Sequence, residues 1–281
     1  MDVGIGLPNA VPGTTGDQLT DWARRAEARG FSSLGTIDRV TYGNYEPLVA
    51  LSAAAAVTER IGLLTSVLLA PLRRNGAVLG KQTLSLNALS GGRLTLGVGV
   101  GGRDDDFAAI GADMGDRGAE MDEILARLTE VWADDAIGPD APPPRLLIGG
   151  AVQASFDRAA RHGSAGWIAG GAPPDQFAEA LGKVKDAWAA AGRDGEPVSA
   201  ALGYFSLGDE AEASANRYLN DYYGFLGAEL SQMIADSAAK DADTVKGYLA
   251  AFEGVGCDEL ILFPTSPDVA QVDLLADAAG I

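Results

Sequence analysis

Glycines, whose backbone amides can contact a ligand, make up most of the candidate site residues in this sequence. Gly149-Gly150 and Gly170-Gly171 each follow an apolar run typical of a buried β-strand, and the first pair precedes a helical segment near Ala154. Backbone amides at such a helix start can bind a phosphate group. Glycine pairs also form tight turns that have no ligand. The pairs therefore indicate a phosphate site, with a purely structural turn as the alternative.

Ionisable groups are scarce at the predicted strand ends, where Asp38 and Arg39 are nearly alone. The single histidine, His162, precedes Gly163 in a pattern typical of a helix C-terminus, and Cys257 is the single cysteine. A metal cluster held by cysteines is therefore excluded, and the single histidine argues against a zinc site of several histidines and against most Ser-His-Asp hydrolases. One aspartate cannot form the ring of carboxylates that binds magnesium, so we expect no metal. The lysines all fall in predicted helices, which excludes a Schiff-base enzyme.

A glycine-rich, apolar strand-end region suits a flat aromatic cofactor that brings its own reactivity. Asp38 and Arg39 are the candidate catalytic residues, because the first could orient a substrate or bind the ring edge and the second could bind an acidic substrate. The alternatives are that Asp38 caps the following loop and that Arg39 only pairs with it. The candidates for the substrate pocket, with aromatic surface packing as the alternative for the first two, are Tyr42, Tyr45 and Tyr204.

The elements that position these residues alternate between strand and helix. About fifty residues separate the last two predicted strands, more than one crossover helix needs, so we expect extra helices at Ser214–Phe225 and Leu230–Ala239 that could cover the pocket. Eight strands favour closure over an open doubly wound sheet. The predicted fold is α/β, a single-domain (β/α)₈ TIM barrel over residues 1–281 with a helical insertion between strands 7 and 8. The predicted strands are Val3–Leu7, Ser33–Ile37, Ile61–Leu68, Leu94–Val98, Arg145–Ile148, Gly166–Ala169, Val198–Phe205 and Glu259–Phe263.

Composition narrows the range of partners. The 281 residues include 21 Lys and Arg against 39 Asp and Glu, a formal net charge of −18. Such a charge repels phosphodiester backbones and anionic lipid surfaces, so we expect no nucleic acid and no membrane as a partner. The sequence shows no signal-peptide pattern and no apolar run of membrane-spanning length, and it cannot form an internal disulfide. We therefore expect a cytoplasmic protein that acts on a small-molecule substrate.

Several segments, taken in order, resemble the luciferase-like family of flavin- and deazaflavin-dependent oxidoreductases. The resemblance extends over most of the chain and is strongest between Gly30 and Trp132. No single segment is specific for this family, but the occurrence of all of them in this order is. The segments are Gly30–Leu34, Asp38-Arg39, Glu46–Leu51, Thr58–Leu63, Arg74-Asn75, Lys81–Leu86, Leu89–Leu94 and Gly97–Gly101.

The resemblance implies a barrel that binds FMN or the deazaflavin F420 across the C-terminal strand ends. The ring would lie against the third strand, with a cis peptide bond between Ser66 and Val67, and the phosphate would lie near the fifth and sixth strands. It also implies a homodimer and a separate flavin or F420 reductase as a partner. The cofactor-binding residues expected on this basis are Leu7, Thr65, Ser66, Val67, Gly99, Val100, Gly101, Gly149, Gly150, Ala151, Val152, Gly170 and Gly171.

The sequence departs from this family at two positions. Many relatives have histidine where this chain has Arg39, and many have an acid after the fourth-strand glycines, where this chain has Gly102. Alcohol dehydrogenation then lacks its general base. We expect first an enzyme that uses reduced FMN and oxygen on a small organic substrate, and as an alternative F420-dependent hydride transfer. A non-catalytic flavin-binding protein and an isomerase of a phosphorylated metabolite are further alternatives.

Overall fold

All strands of the protein belong to one closed parallel sheet. The computed structural model describes residues 1–281. The strands are β1 (Asp2–Gly6), β2 (Ser33–Thr36), β3 (Gly62–Thr65), β4 (Leu68–Leu69), β5 (Leu94–Gly99), β6 (Arg145–Gly149), β7 (Gly166–Gly171), β8 (Val198–Phe205) and β9 (Glu259–Pro264). Their order is β3-β2-β1-β9-β8-β7-β6-β5-β4, and pairing between β3 and β5 closes the sheet. Because β3 and β4 share one position, the barrel has eight positions, as predicted.

Helices surround the barrel and follow the strands along the chain. They are α1 (Gly16–Arg29), α2 (Pro47–Ala55), α3 (Gly76–Leu89), α4 (Asp104–Ala109), α5 (Arg117–Trp132), α6 (Gln153–His162), α7 (Pro174–Ala190), α8 (Ala211–Tyr222), α9 (Ala228–Asp236), α10 (Ala242–Gly254) and α11 (Ala270–Ala279). The first has a capping box, in which Thr15 and Gln18 bond each other's backbone amides, and a left-handed Gly30 follows its last residue. None of these helices is both long and apolar enough to cross a membrane.

The third barrel position differs from the continuous strand predicted over Ile61–Leu68. The chain leaves the sheet at Ser66 and Val67 and rejoins it at Leu68, which pairs with Val98 of β5. The peptide bond between Ser66 and Val67 is cis, as expected. No glycine or proline marks the interruption, so apolar periodicity alone could not show it. Ser66 and Val67 therefore lie outside the strands, at the C-terminal end of the barrel. This end is called the mouth below.

The interior of the barrel is apolar and continues into the predicted insertion between β8 and β9. The insertion starts with α8 and α9, close to the predicted ranges, and α10 follows it. Residues 211–236, which contain α8, the 3-10 turn Gly224–Leu226 and α9, are called the lid below. The lid residues Tyr218, Leu219 and Tyr222 belong to the same buried cluster as Leu64 and Phe263 of the barrel. The insertion therefore packs on the mouth.

Close approach of β3 and β5 requires Gly97, which gives a test of the fold. A Cβ at this position would clash with the carbonyl oxygen of Thr65, whereas a Cβ at Gly102 meets nothing within 4 Å. We expect Gly97→Ala to lower the free energy of unfolding by about 1–3 kcal/mol, because the two strands would have to separate. Urea unfolding of this variant beside Gly102→Ala measures the effect. Equal stability of the two variants would contradict the close strand packing.

Candidate active site

The interruption at Ser66 and Val67 forms one wall of the mouth. The Thr65 hydroxyl donates to Gly97 O at 2.7 Å, and Ser66 N donates to Thr36 O at 2.8 Å. Val67 lies against two glycines, since a Cβ at Gly99 would come within 2.7 Å of Val67 Cγ2 and one at Gly149 within 3.0 Å of Val67 Cγ1. The Ser66 hydroxyl is buried and has no hydrogen-bond partner. A polar atom in this position needs a partner, which a ligand can supply.

Asp38 lies at the end of β2 and is almost fully buried. Its Oδ2 accepts hydrogen bonds from Leu69 N at 2.8 Å and from Arg73 Nη2 at 2.9 Å, while its Oδ1 has no partner. The Arg73 guanidinium also contacts Glu46 at 3.0 Å, so it pairs with carboxylates. Burial raises the pKa of Asp38 above its ordinary value, and the nearby Arg73 acts in the opposite direction and offsets only part of this. Asp38 Oδ1 is therefore free to form a hydrogen bond with a ligand.

Arg39 joins the loop after β2 to α4 through a buried ion pair. Its Nε donates to Asp106 Oδ2 at 2.6 Å and its Nη2 to Asp105 Oδ2 at 3.0 Å. Asp106 is fully buried and its Oδ1 also accepts from Val40 N at 2.9 Å and Thr41 N at 2.7 Å. A guanidinium stays protonated at physiological pH. Arg39 therefore cannot serve as the base that the histidine of many relatives provides.

Aromatic rings and a second arginine attach the lid to these loops. The Arg39 guanidinium carbon lies 5.6 Å from the ring centroid of Tyr42 and 5.7 Å from that of Tyr222, which is cation–π range. The Tyr42 hydroxyl donates to Asp221 Oδ2 at 2.6 Å. Arg103 donates to Tyr222 O at 2.8 Å, and its guanidinium carbon lies 3.9 Å from the ring centroid of Phe225. These contacts hold the lid closed over the mouth.

Five of the seven tyrosines in the chain form one aromatic cluster where the lid meets the barrel. The members are Tyr42, Tyr204, Tyr218, Tyr222 and Tyr223, and neighbouring rings meet mostly edge to face. Tyr204 and Tyr223 share a hydrogen bond of 2.8 Å between their hydroxyls. Burial raises the pKa values of Tyr204 and Tyr218 well above 10, so both phenols are neutral. The cluster, called the tyrosine cluster below, gives this side of the mouth an aromatic lining.

The opposite side of the mouth contains a cavity of about 490 Å³ at the ends of β6 and β7. Its lining includes Ala151, Gly170, Gly171, Gln176 and Lys183. The adjacent start of α6 has no side-chain cap, so the amides of Gln153 and Ala154 are free for a ligand, whereas α7 begins with Pro174, which has no amide hydrogen. Free amides beside exposed glycines fit a phosphate, and the unpartnered polar atoms at the other side fit a ring edge. The residues present therefore fit a ring cofactor with a phosphate-bearing side chain.

The structure brings most, but not all, of the predicted site residues to the mouth. Val100 is half-buried after β5, and Gly101 has a left-handed conformation near Leu69 and Phe107. Leu7 lies in the buried core, and a Cβ at Gly150 would clash with Ser155. Two further predicted residues lie apart from the tyrosine cluster: Val152, which is exposed, and Tyr45, whose hydroxyl donates to Thr14 O at 3.0 Å.

Sequence reasoning missed the residues that close the mouth. Asp106 and Arg103 follow the glycine series of the fourth predicted strand, so the acid sought at Gly102 occurs four positions later. Tyr218 and Tyr222 are one helical turn apart in the predicted insertion, which places both on one helix face. That spacing and the run Asp104–Asp106 are the signals that could have identified them.

A closed (β/α)₈ barrel whose mouth contains few free acids and bases is typical of barrel proteins that depend on a cofactor. The profile that describes the family "Luciferase-like monooxygenase" matches residues 1–256 of this chain. The chain belongs to this family.

Curated relatives of this chain are similar over part of their length. An uncharacterized protein of Mycobacterium tuberculosis is 34% identical over 175 residues, which cover 56% of this chain and 61% of that protein. An F420-dependent glucose-6-phosphate dehydrogenase of Amycolatopsis mediterranei is 31% identical over 128 residues, 42% of this chain and 38% of the relative. The chain thus matches about three fifths or less of the length of these relatives.

Solved structures share the fold over nearly the whole chain. An F420-dependent secondary alcohol dehydrogenase in complex with an F420-acetone adduct has a TM-score of 0.81 at 18% identity, covering 99% of this chain and 98% of the other. The oxygenating constituent of 3,6-diketocamphane monooxygenase from Pseudomonas putida, in complex with FMN, has a TM-score of 0.74 at 16% identity and covers 98% and 96%. At these identities the likeness shows the fold alone.

The buried ion pair predicts that replacing two neighbouring aspartates lowers the stability by very different amounts. Asp106→Ala leaves Arg39 without its closest carboxylate, and breaking a buried pair costs about 3–5 kcal/mol of stability. Asp105 is 42% exposed at its side chain, so Asp105→Ala should cost about 1 kcal/mol or less. Chemical unfolding of both variants measures the difference, and similar losses would show that Asp106 has no special role.

The raised pKa of Asp38 predicts a pH dependence of stability. A carboxyl whose pKa is higher in the folded state binds more protons when folded, so its contribution to the free energy of unfolding falls as the pH rises from 3.8 through the raised value. Asp38→Asn removes this contribution. We expect the stability difference between Asp38→Asn and the wild type to shift in favour of the variant as the pH rises. Urea unfolding at a series of pH values tests this, and a constant difference would contradict it.

Proposed function

We propose that this protein is an oxidoreductase that uses reduced F420 to reduce an activated double bond of a small organic substrate. The observation that carries the proposal is the pair of buried polar atoms without partners at neighbouring strand ends, Ser66 Oγ and Asp38 Oδ1. Leaving such an atom unpaired costs about 1–3 kcal/mol, which a bound ring edge would recover. The resemblance to F420-dependent relatives supports F420 as the ring that does so.

Each part of the mouth then has a role in holding the cofactor and excluding water. Reduced F420, when bound, supplies the hydride. Ser66 Oγ and Asp38 Oδ1 bind the ring edge, and Val67, seated against Gly99 and Gly149, supports the ring face. The cavity lined by Ala151, Gly170 and Gly171 holds the phosphate with the first amides of α6. The closed lid keeps water from the reacting atoms.

The direction of reaction follows from the acid-base groups of the mouth. Oxidation of an alcohol needs a base to take the hydroxyl proton, and Arg39, paired with Asp105 and Asp106, cannot take one. Reduction instead needs a source of a proton, because a proton joins the substrate together with the hydride. Reduced F420 would supply this proton together with the hydride, so the mouth needs no free acid of its own. The substrate would gain one hydride and one proton across its double bond.

Oxygenation with reduced FMN is the second candidate. The description of the family and the FMN-bound monooxygenase of the same fold favour it. Few protein acids or bases are needed when a cofactor and oxygen perform the reaction, and the closed lid would protect it from water. A separate reductase would then supply the reduced cofactor.

Side-by-side titration of the purified chain with F420 and with FMN tests the proposal. We expect quenching of F420 fluorescence, and weaker binding to Ser66→Ala by about fivefold, because one hydrogen bond to the ring is lost. Ser85→Ala, which removes a hydroxyl bonded to Lys81 O on the outer helix α3, is the matched control. Binding of FMN alone would favour the second candidate. Binding of neither cofactor would refute both.

A further inference from the structure

The cavity at the ends of β6 and β7 continues away from the mouth along α7 and is called the α7 groove below. Its lining includes Gly170 and Gly171 at the strand end and Gln176, Ala180 and Lys183 of the helix. These three helix residues lie on one face of α7 over two turns, about 10 Å of helix axis. Because β7 and β8 are parallel, α7 carries the chain back from the mouth. The groove is therefore longer than a phosphate group needs.

The floor of the α7 groove is a packed set of aromatic rings. The ring centroid of Trp167 lies 6.0 Å from that of Phe156 and 5.4 Å from that of Phe177, and all three side chains are almost fully buried. The Trp167 indole donates to Gly150 O at 2.7 Å, which ties the floor to the end of β6. Rings held by such packing have little freedom to move into the space above them. The groove therefore has a fixed floor on which an extended ligand can lie.

The charges of the lining favour a phosphodiester over a terminal phosphate. Lys183 and Glu179 are the only charged residues that line the groove, and Lys183 Nζ pairs with Glu179 Oε1 at 2.6 Å. The other donors for an anion are the amides of Gln153 and Ala154 at the start of α6. A terminal phosphate monoester carries a charge of about −1.5 to −2 at neutral pH, whereas a phosphodiester carries a single charge. Because no arginine lines the groove, the singly charged group fits it better.

We propose that the α7 groove binds the tail that continues beyond the phosphate of F420, and that this tail selects F420 over FMN. The phosphate of F420 is a diester that leads into an extended tail of amides and carboxylates, whereas the phosphate of FMN is terminal. Gln176 bonds an amide of the tail, and Lys183 pairs with one of its carboxylates. The inference rests on the proposed function and deepens it, because it names the part of the cofactor that this protein distinguishes.

A comparison of cofactor forms tests the role of the tail. Complete F420, a truncated F420 that ends at the lactyl group without glutamates, and FMN are titrated into the purified protein, and cofactor fluorescence reports binding. We expect truncated F420 to bind about three- to tenfold more weakly than complete F420, because it loses the contacts with the groove. FMN should bind more weakly than complete F420. The readout is affinity, so no turnover is required.

Two variants of α7 locate the tail in the groove. Ala180→Leu places a larger side chain in the groove and should weaken binding of complete F420 at least about fivefold. Lys183→Ala removes the cation of the lining and should weaken it about threefold. The matched controls are Ala189→Leu, at an exposed position of α7 outside the groove, and Lys185→Ala, which removes a lysine paired with Glu196 outside the groove. Both controls should bind as the wild type does, and circular dichroism checks the fold of each variant.

The outcomes distinguish this inference from the proposed function. Equal affinities for complete and truncated F420 overturn the inference even where F420 binds and is used for reduction. Unchanged binding of complete F420 in folded Ala180→Leu and Lys183→Ala also overturns it, as does tighter binding of FMN. Binding of neither cofactor overturns both the inference and the proposed function. Tail-dependent binding that both variants weaken supports the inference, even where no activated double bond is reduced and the proposed function fails.

Discussion

The buried ion pair between Arg39 and Asp106 is the interaction on which the closed mouth depends. It joins the loop after β2 to α4, and Asp106 also accepts the amides of Val40 and Thr41. Desolvation makes a buried pair costly unless further hydrogen bonds satisfy its atoms, and here both carboxylate oxygens are bonded. The same guanidinium lies beside the ring pair of Tyr42 and Tyr222, 5.6 Å and 5.7 Å from the two centroids. One charge pair thus fixes a loop, a short helix and the lid together.

This pairing also determines the chemistry that the mouth can perform. A free arginine at this position would attract anions, but Arg39 is neutralised by two carboxylates, and Arg73 is neutralised in the same way by Asp38 and Glu46. What remains is a wall of glycines and apolar side chains with a few unpartnered polar atoms, among them Ser66 Oγ. Such a surface can orient a cofactor and exclude water, whereas proton abstraction needs a group that it does not present.

The fold was predictable from the sequence because it is encoded locally. The alternation of strand and helix patterns predicted the barrel, and the long interval between the last two strands predicted the insertion. The ion pair was not predictable, since Arg39 and Asp106 are 67 positions apart and neither has a local signature. Tyr42 and Tyr45 illustrate the limit, because they share one loop, yet only Tyr42 reaches the tyrosine cluster. The bonds from Asp106 to Val40 and Thr41 shape that loop, and a single-sequence pattern does not contain them.

The two sides of the mouth differ in how a ligand can reach them. Ala151, Gly170 and Gly171 are exposed, so the phosphate end of a cofactor can reach its cavity while the lid stays closed. Tyr218 and Tyr222 lie on the buried face of the lid, so a molecule that contacts them must enter while the lid is open. The lid is held by this buried packing, by the Tyr42–Asp221 hydrogen bond, by the contacts of Arg103 and by the bonds of Ser214 to Thr265. Under the proposed function, a substrate that contacts the tyrosine cluster would therefore need the lid to open, whereas the phosphate end of the cofactor would not.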